Sequence, residues 1–173
     1  DALEAVAILN RQLVADRLAL RVRLTIAGSF PNHAEQAEVM ERLKAPDLTD
    51  LMSGPMARYV GFVEGDAKTA LLRASDGLCF PTYYAAEGFP VVLLEAMAAG
   101  LHVVTTRWRT LPAFFPSGFD GLVPPKSPPA IAEVVRRQLT QNPPETLRTH
   151  FLQNYTAETC FSRIKQELLL LKD

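Results

Sequence analysis

The chain has 173 residues, 48% of them hydrophobic, and its 18 basic and 19 acidic side chains leave a net charge of -1. That length builds one large domain able to bury a core without a disulfide or structural metal. With no basic run longer than Arg136-Arg137, the charge argues against nucleic acid as a partner, and the longest apolar run, about residues 89–101, is broken by Glu95, so no segment reads as a membrane span.

Asp1 stands as N-cap to a helical pattern carrying Leu3, Val6, Ala7, Leu9 and Leu13, and no strand precedes it, which reads as a cut through a longer protein. Residues 20–27 alternate apolar with polar up to Gly28 and predict a strand. A helix is expected over 34–44, punctuation at Pro46 and Gly54-Pro55, a second strand over 59–63 and a short helix over 67–73. An apolar strand over 77–81 follows, then a helix over 90–99 closed by Gly100, and a strand over 102–106. Beyond a loop of aromatic and basic residues come a last strand at 121–123 and helices over 129–139, 144–153 and 157–171. Cys79 in its apolar run and Cys160 in the last helix are expected as buried thiols of a reducing compartment, since neither has a second cysteine or histidine at metal-ligand spacing.

Short apolar strands alternating with helices predict an α/β fold: a doubly wound, Rossmann-like parallel sheet with helices on both faces, its first strand missing. In such sheets ligands bind beyond the carboxyl ends of the strands. That places a site at the loops after Gly28, Phe62, Pro81 and Thr106.

The stretch 80–90 leaves a buried strand, crosses a polar loop and enters a helix at Pro90. Gly88 allows close backbone approach, and the free N–H groups of a helix start favour an anion. From Val91 to Ala99 only Glu95 is polar. An unpaired buried carboxylate costs several kcal/mol, so Glu95 needs a strong partner or an opening to solvent, and ribose hydroxyls would satisfy it. Equally, a glutamate on a buried helix pairs with core arginines, and Gly-Phe-Pro is an ordinary helix start.

Glu87 and Glu95, separated by Gly88-Phe89-Pro90-Val91-Val92-Leu93-Leu94 and followed by Ala96-Met97-Ala98-Ala99-Gly100 and His102-Val103-Val104-Thr105-Thr106, resemble the signature of family-four and glycogen-synthase-like glycosyltransferases. Ile26-Ala27-Gly28, Val60-Gly61-Phe62-Val63, Ala74-Ser75-Asp76-Gly77-Leu78 and Asp120-Gly121-Leu122-Val123-Pro124-Pro125 fall where that family has the strands and turns of its C-terminal domain. The resemblance implies a single nucleotide-sugar-binding domain over 1–173, the donor half of a GT-B enzyme of carbohydrate biosynthesis. In it Glu87 is the catalytic contact to the transferred sugar and Glu95 holds the ribose. The backbone at Gly88, Phe89 and Pro90 meets sugar and diphosphate, the Gly61-Phe62-Val63 turn flanks the base, and Tyr84 (like Tyr83) stacks on base or sugar or closes the loop over the core.

The same resemblance implies a retaining, metal-independent hexosyl transfer from a nucleoside-diphosphate sugar such as a UDP- or GDP-hexose, with no cofactor. The donor's leaving phosphate takes the acceptor proton, while the protein positions and stabilises charge. Partners are the nucleotide sugar and an N-terminal acceptor domain absent from this chain, toward which the helix of residues 155–173 is expected to pack; self-association through that helix is the alternative. A cytoplasmic enzyme is implied, with a peripheral place at the inner membrane surface as a variant for the full-length protein. Two departures stand out. Where the family commonly has a glycine pair and a glutamate after the fourth strand, this chain has Arg107-Trp108-Arg109-Thr110-Leu111-Pro112-Ala113, read as a solvated turn; and the family's diphosphate-neutralising Arg and Lys lie upstream, so the isolated chain is expected to be inactive. Lys68 is expected to be solvated and His102 to be a satisfied structural histidine. A non-catalytic nucleotide- or protein-binding module, or a nucleotide-sugar epimerase or hydrolase of the same fold, is the rival reading.

Overall fold

In the computed structural model, which describes residues 1–50, 54–141 and 145–170, the strand of residues 102–106 is the axis of the molecule. This strand, β6 (His102–Thr106), is buried at every position, and its successive side chains point to opposite faces. Val103 packs with Leu93, Ala96 and Met97 of α4 (Val91–Ala99) and with Leu147 of α6 (Glu145–Asn154). Val104 packs the other way, with Ala5, Leu9 and Leu13 of α1 (Ala2–Ala15) and with Ile131, Ala132 and Val134 of α5 (Pro128–Gln138). Helices therefore cover both faces, in keeping with the burial of every residue of the strand. Each such side chain contributes roughly 1.5–3 kcal/mol by leaving water.

β6 pairs in parallel with β5 (Gly77–Phe80) on one edge and β7 (Leu122–Val123) on the other. A second parallel pair joins β1 (Leu24–Ile26) to β4 (Ala57–Tyr59), with Thr25 opposite Arg58. Among the described residues no ladder links β1 to β5, so the parallel strands form two sheets, β1-β4 and β5-β6-β7. α1 spans this division, because it also packs Val6 and Ala7 against Leu48, Met56 and Ala57. The remaining elements are α2 (His33–Arg42), the short antiparallel pair β2 (Thr49–Asp50) and β3 (Gly54–Pro55), α3 (Gly65–Arg73) and α7 (Ala157–Leu170). Asn32 caps α2 by accepting from the Glu35 N–H at 2.8 Å, and Gly100 ends α4 in the left-handed region at φ +73°, where glycine is least strained.

Three expectations need correction. β1 is three residues long instead of the eight of 20–27, because buried Asn10 takes both backbone groups of Val22: its side-chain N–H donates to Val22 O and its oxygen accepts from Val22 N, each at 2.8 Å. The strand expected over 59–63 lies earlier, at β4, since the chain turns away at Gly61, where φ is +79°. Cys160 is exposed, whereas burial pushes the Cys79 thiol up to about 12. The last helix has no buried residue, in line with an apolar face meant for an absent domain; its Leu171 lies outside the described residues, as does the Pro144 expected to open α6.

An ion cluster ties α1 to the segment after α2. Arg42 binds Asp47 in a fork, at 2.8 and 3.0 Å, and donates from Nε to Glu4. The hydrogen bonds from Arg42 hold both carboxyls below their ordinary values of 3.8 for Asp47 and 4.5 for Glu4. Depressed carboxylates stabilise the fold above their unfolded values, and that contribution is lost as pH falls through the folded ones. The melting temperature is accordingly expected to fall more steeply between about pH 5 and pH 2 in the wild type than in Arg42→Met. Parallel melting curves for the two proteins over that window would contradict it.

Candidate functional site

The loop that leaves β5 is held by the residues that leave β6. Thr105 donates its hydroxyl to Phe80 O at 2.7 Å and Thr106 donates to Thr82 O. Trp108 Nε1 donates to Tyr84 O at 2.8 Å, and Thr110 Oγ1 to Gly88 O at 3.0 Å. Four side chains thus fix four carbonyls spread over residues 80–88, each bond worth about 0.5–1.5 kcal/mol net. Within the loop Thr82 donates to Glu87 Oε2 at 3.2 Å, and Glu87 N–H closes a turn on Tyr84 O at 3.1 Å. Glu87 is half-buried, and Tyr84 stands 66% exposed beside it. The segment 107–113 is therefore no free turn, contrary to expectation: Arg107 and Arg109 are exposed, but Trp108 and Thr110 clamp the loop and Leu111 is fully buried.

Phe89 is exposed and lays its ring 4.9 Å from that of Phe114. Pro90 is buried and serves as N-cap, so α4 starts one residue later than expected, at Val91. No Cβ contact crowds Gly88, which leaves open space above the loop. The N–H groups of Val91 and Val92 precede the first bond of the helix, Leu93 N–H to Pro90 O at 3.0 Å, and form its positive end.

One turn further along α4, Glu95 Oε1 sits 2.6 Å from Lys68 Nζ, while Oε2 is buried and has no hydrogen-bond partner. Lys68, expected to be solvated, is instead the counter-ion of the one polar residue on α4. It comes from α3, the helix that follows the Gly61-Phe62-Val63 turn in the chain. The turn itself is set against the end of β1: Gly28 N–H donates to Gly61 O at 2.9 Å, and Tyr59 donates its hydroxyl to Gly28 O at 2.7 Å. Phe62 is 65% exposed. From the loop after β7, Lys126 places its ammonium 4.9 Å from the Tyr83 ring centre, a cation-π contact.

At the carboxyl ends of the strands the loops after β5, β6 and β7 thus touch one another through Trp108, Thr110 and Lys126, those after β1 and β4 touch at Gly28 and Gly61, and the Lys68–Glu95 pair joins α3 to α4. Of the residues singled out from sequence, Glu87, Gly88, Phe89 and Pro90 form one clamped loop, while Glu95 pairs with Lys68 of α3, the helix that follows Gly61-Phe62-Val63 in the chain. Sequence reasoning missed Thr82, Thr105, Thr106, Trp108 and Thr110. The lone tryptophan of the chain in an otherwise polar loop was the available signal. His102 is buried and its Nε2 lies 3.1 Å from Gln141 O, a structural role. Among the described residues no group of three or more His, Cys, Asp or Glu side chains is placed to hold a metal ion, and no helix is long and apolar enough to cross a membrane.

A parallel doubly wound sheet, a helix start and a pinned loop at its carboxyl end define a ligand-binding α/β domain. Residues 2–141 match the family described as glycosyl transferases group 1, and the chain belongs to that family. It is 39% identical over 83 residues to a glycosyltransferase of Methanocaldococcus jannaschii, which covers 47% of this chain and 21% of that relative. Its fold is similar to sucrose-phosphate synthase from Thermosynechococcus elongatus, with a TM-score of 0.71 at 20% identity over 98% of this chain and 42% of that one. It also matches the C-terminal domain of a group 1 family glycosyl transferase from Francisella tularensis, with a TM-score of 0.69 at 19% identity over 90% of this chain and 77% of that one. The fold is that of the C-terminal domain of a GT-B glycosyltransferase, and the chain spans about a fifth of the length of the Methanocaldococcus relative.

Proposed function

We propose that this chain is the donor-binding domain of a retaining, metal-independent glycosyltransferase that moves a hexosyl group from a nucleoside-diphosphate sugar to an acceptor. The observation that carries the reading is Glu95: a carboxylate on an otherwise apolar helix, one oxygen buried without a partner, beside the loop and helix start that leave β5. Ribose hydroxyls are donors of the kind it lacks. Glu87, steadied by Thr82, faces the transferred sugar, and the diphosphate lies along Gly88 to Pro90 and the positive end of α4. The exposed Phe62 and Tyr84 flank the base and sugar. The exposed Phe161, Ile164 and Leu168 of α7 form a face suited to the acceptor domain, or to a second copy. The enzyme is cytoplasmic in this reading.

Calorimetric titration tests the assignment. The chain is expected to bind UDP or GDP weakly, and Glu95→Ala is expected to abolish that binding while leaving the fold intact. Absence of binding by the wild type at millimolar nucleotide would favour a protein-binding module instead.

A further inference from the structure

Glu95 is held in an arrangement that a glutamate does not choose by itself. A carboxylate on the surface of a helix turns both oxygens to water. Here the side chain keeps 29% of its surface exposed, yet Oε2 is withdrawn from solvent and bonded to nothing, while Oε1 lies 2.6 Å from Lys68 Nζ. The neighbours of Glu95 on α4 are apolar, so none of them fixes its rotamer by hydrogen bonding. The ammonium that grips the other oxygen does.

We infer that Lys68 is a positioning residue: it fixes the Glu95 carboxylate in place for the hydroxyls of a ribose, and acts on the ligand only through Glu95. This rests on reading Glu95 as the ribose acceptor. Oε1 keeps a lone pair beyond the one engaged by Lys68, so the held carboxylate still accepts a hydrogen bond from a ribose hydroxyl at that oxygen. The pair also joins α3 to α4. In this way the turn proposed to flank the base and the residue proposed to hold the ribose keep a set separation. Both partners are partly exposed, with Lys68 at 38%, so the pair adds little to stability. Its effect is on geometry.

The test compares UDP and 2′-deoxy-UDP, or the guanosine pair, by calorimetry on the wild type, Lys68→Met and Lys68→Arg, with melting temperatures as a check of folding. The wild type is expected to prefer the ribonucleotide by about tenfold or more, because a site built around a hydroxyl leaves its acceptor unpaired with the deoxy compound. Lys68→Met is expected to weaken ribonucleotide binding on the order of tenfold, to leave 2′-deoxynucleotide binding within about twofold, and so to erase the preference. Lys68→Arg is expected to restore most of it, and all three proteins should melt within a few degrees of one another. Equal weakening of both nucleotides in Lys68→Met would make Lys68 a direct ligand of base or phosphate and overturn the inference. Unchanged or tighter ribonucleotide binding in that variant overturns it as well. In both cases a preference in the wild type that Glu95→Ala removes leaves the donor-site reading standing. A wild type that binds neither nucleotide brings down the donor-site reading and this inference together.

Discussion

Gly121→Ala is expected to lower the melting temperature by roughly 6–12 °C, the effect of about 3 kcal/mol on a domain of this size. A Cβ at this position would stand 2.2 Å from Val103 O and 2.4 Å from the Phe119 ring. The ring has little room to turn, being stacked on Phe115 with the centroids 4.2 Å apart. The carbonyl has none: Val103 lies in β6, covered on both faces, and its oxygen already accepts from Gln138 at 3.1 Å. Gly121 O accepts from Thr105 N–H at 3.0 Å, so withdrawing the glycine backbone to make space would break the bond that starts β7 on β6. Gly77→Ala is the companion measurement, since its Cβ would meet only His102 Cβ at 3.2 Å and His102 O at 3.3 Å. It should cost clearly less. Thermal melts followed by circular dichroism decide the matter, and a Gly121→Ala protein melting within a degree or two of the wild type would show that β7 moves freely.

β6 was legible in the sequence, whereas the constraint on Gly121 was not. His102-Val103-Val104-Thr105-Thr106 reads as a strand because its side chains need two apolar faces. The helix of residues 90–99 reads as buried because a single charge interrupts it. Gly121 reads only as the first residue of a strand, for the carbonyl that excludes a side chain comes from 18 positions earlier in the chain. Asn10 and Val22 follow the same rule. Nothing near residue 22 announces that a side chain from α1 will take the place of a strand partner and shorten β1. The signature from Glu87 to Glu95 located the site, but not its supports. Lys68 reaches Glu95 across 27 positions, and Trp108 reaches Tyr84 across 24. Both contacts are set by how α3, α4 and the end of β6 are stacked, which local periodicity does not record.

Trp108→Ala is expected to remove detectable nucleotide binding and to lower the melting temperature by several degrees. Two losses combine in it: the indole packs at the edge of the cluster of Leu93, Met97 and Leu111, and its N–H holds Tyr84 O. Trp108→Phe separates them. Phenylalanine keeps most of the packing and drops the donor, so its melting temperature should stay near that of the wild type, while UDP or GDP affinity should fall on the order of tenfold as the loop carrying Glu87 and Gly88 loosens. Trp108 is the only tryptophan in the chain, so its fluorescence in the wild type is expected to shift on adding nucleotide and to report on this loop alone. A Trp108→Phe protein that binds nucleotide as tightly as the wild type would mean that Thr105, Thr106 and Thr110 hold the loop without it. The clamp would then rest on three threonine hydroxyls, and Thr106→Val with Thr110→Val would free the carbonyls of Thr82 and Gly88, leaving only Phe80 O held, by Thr105.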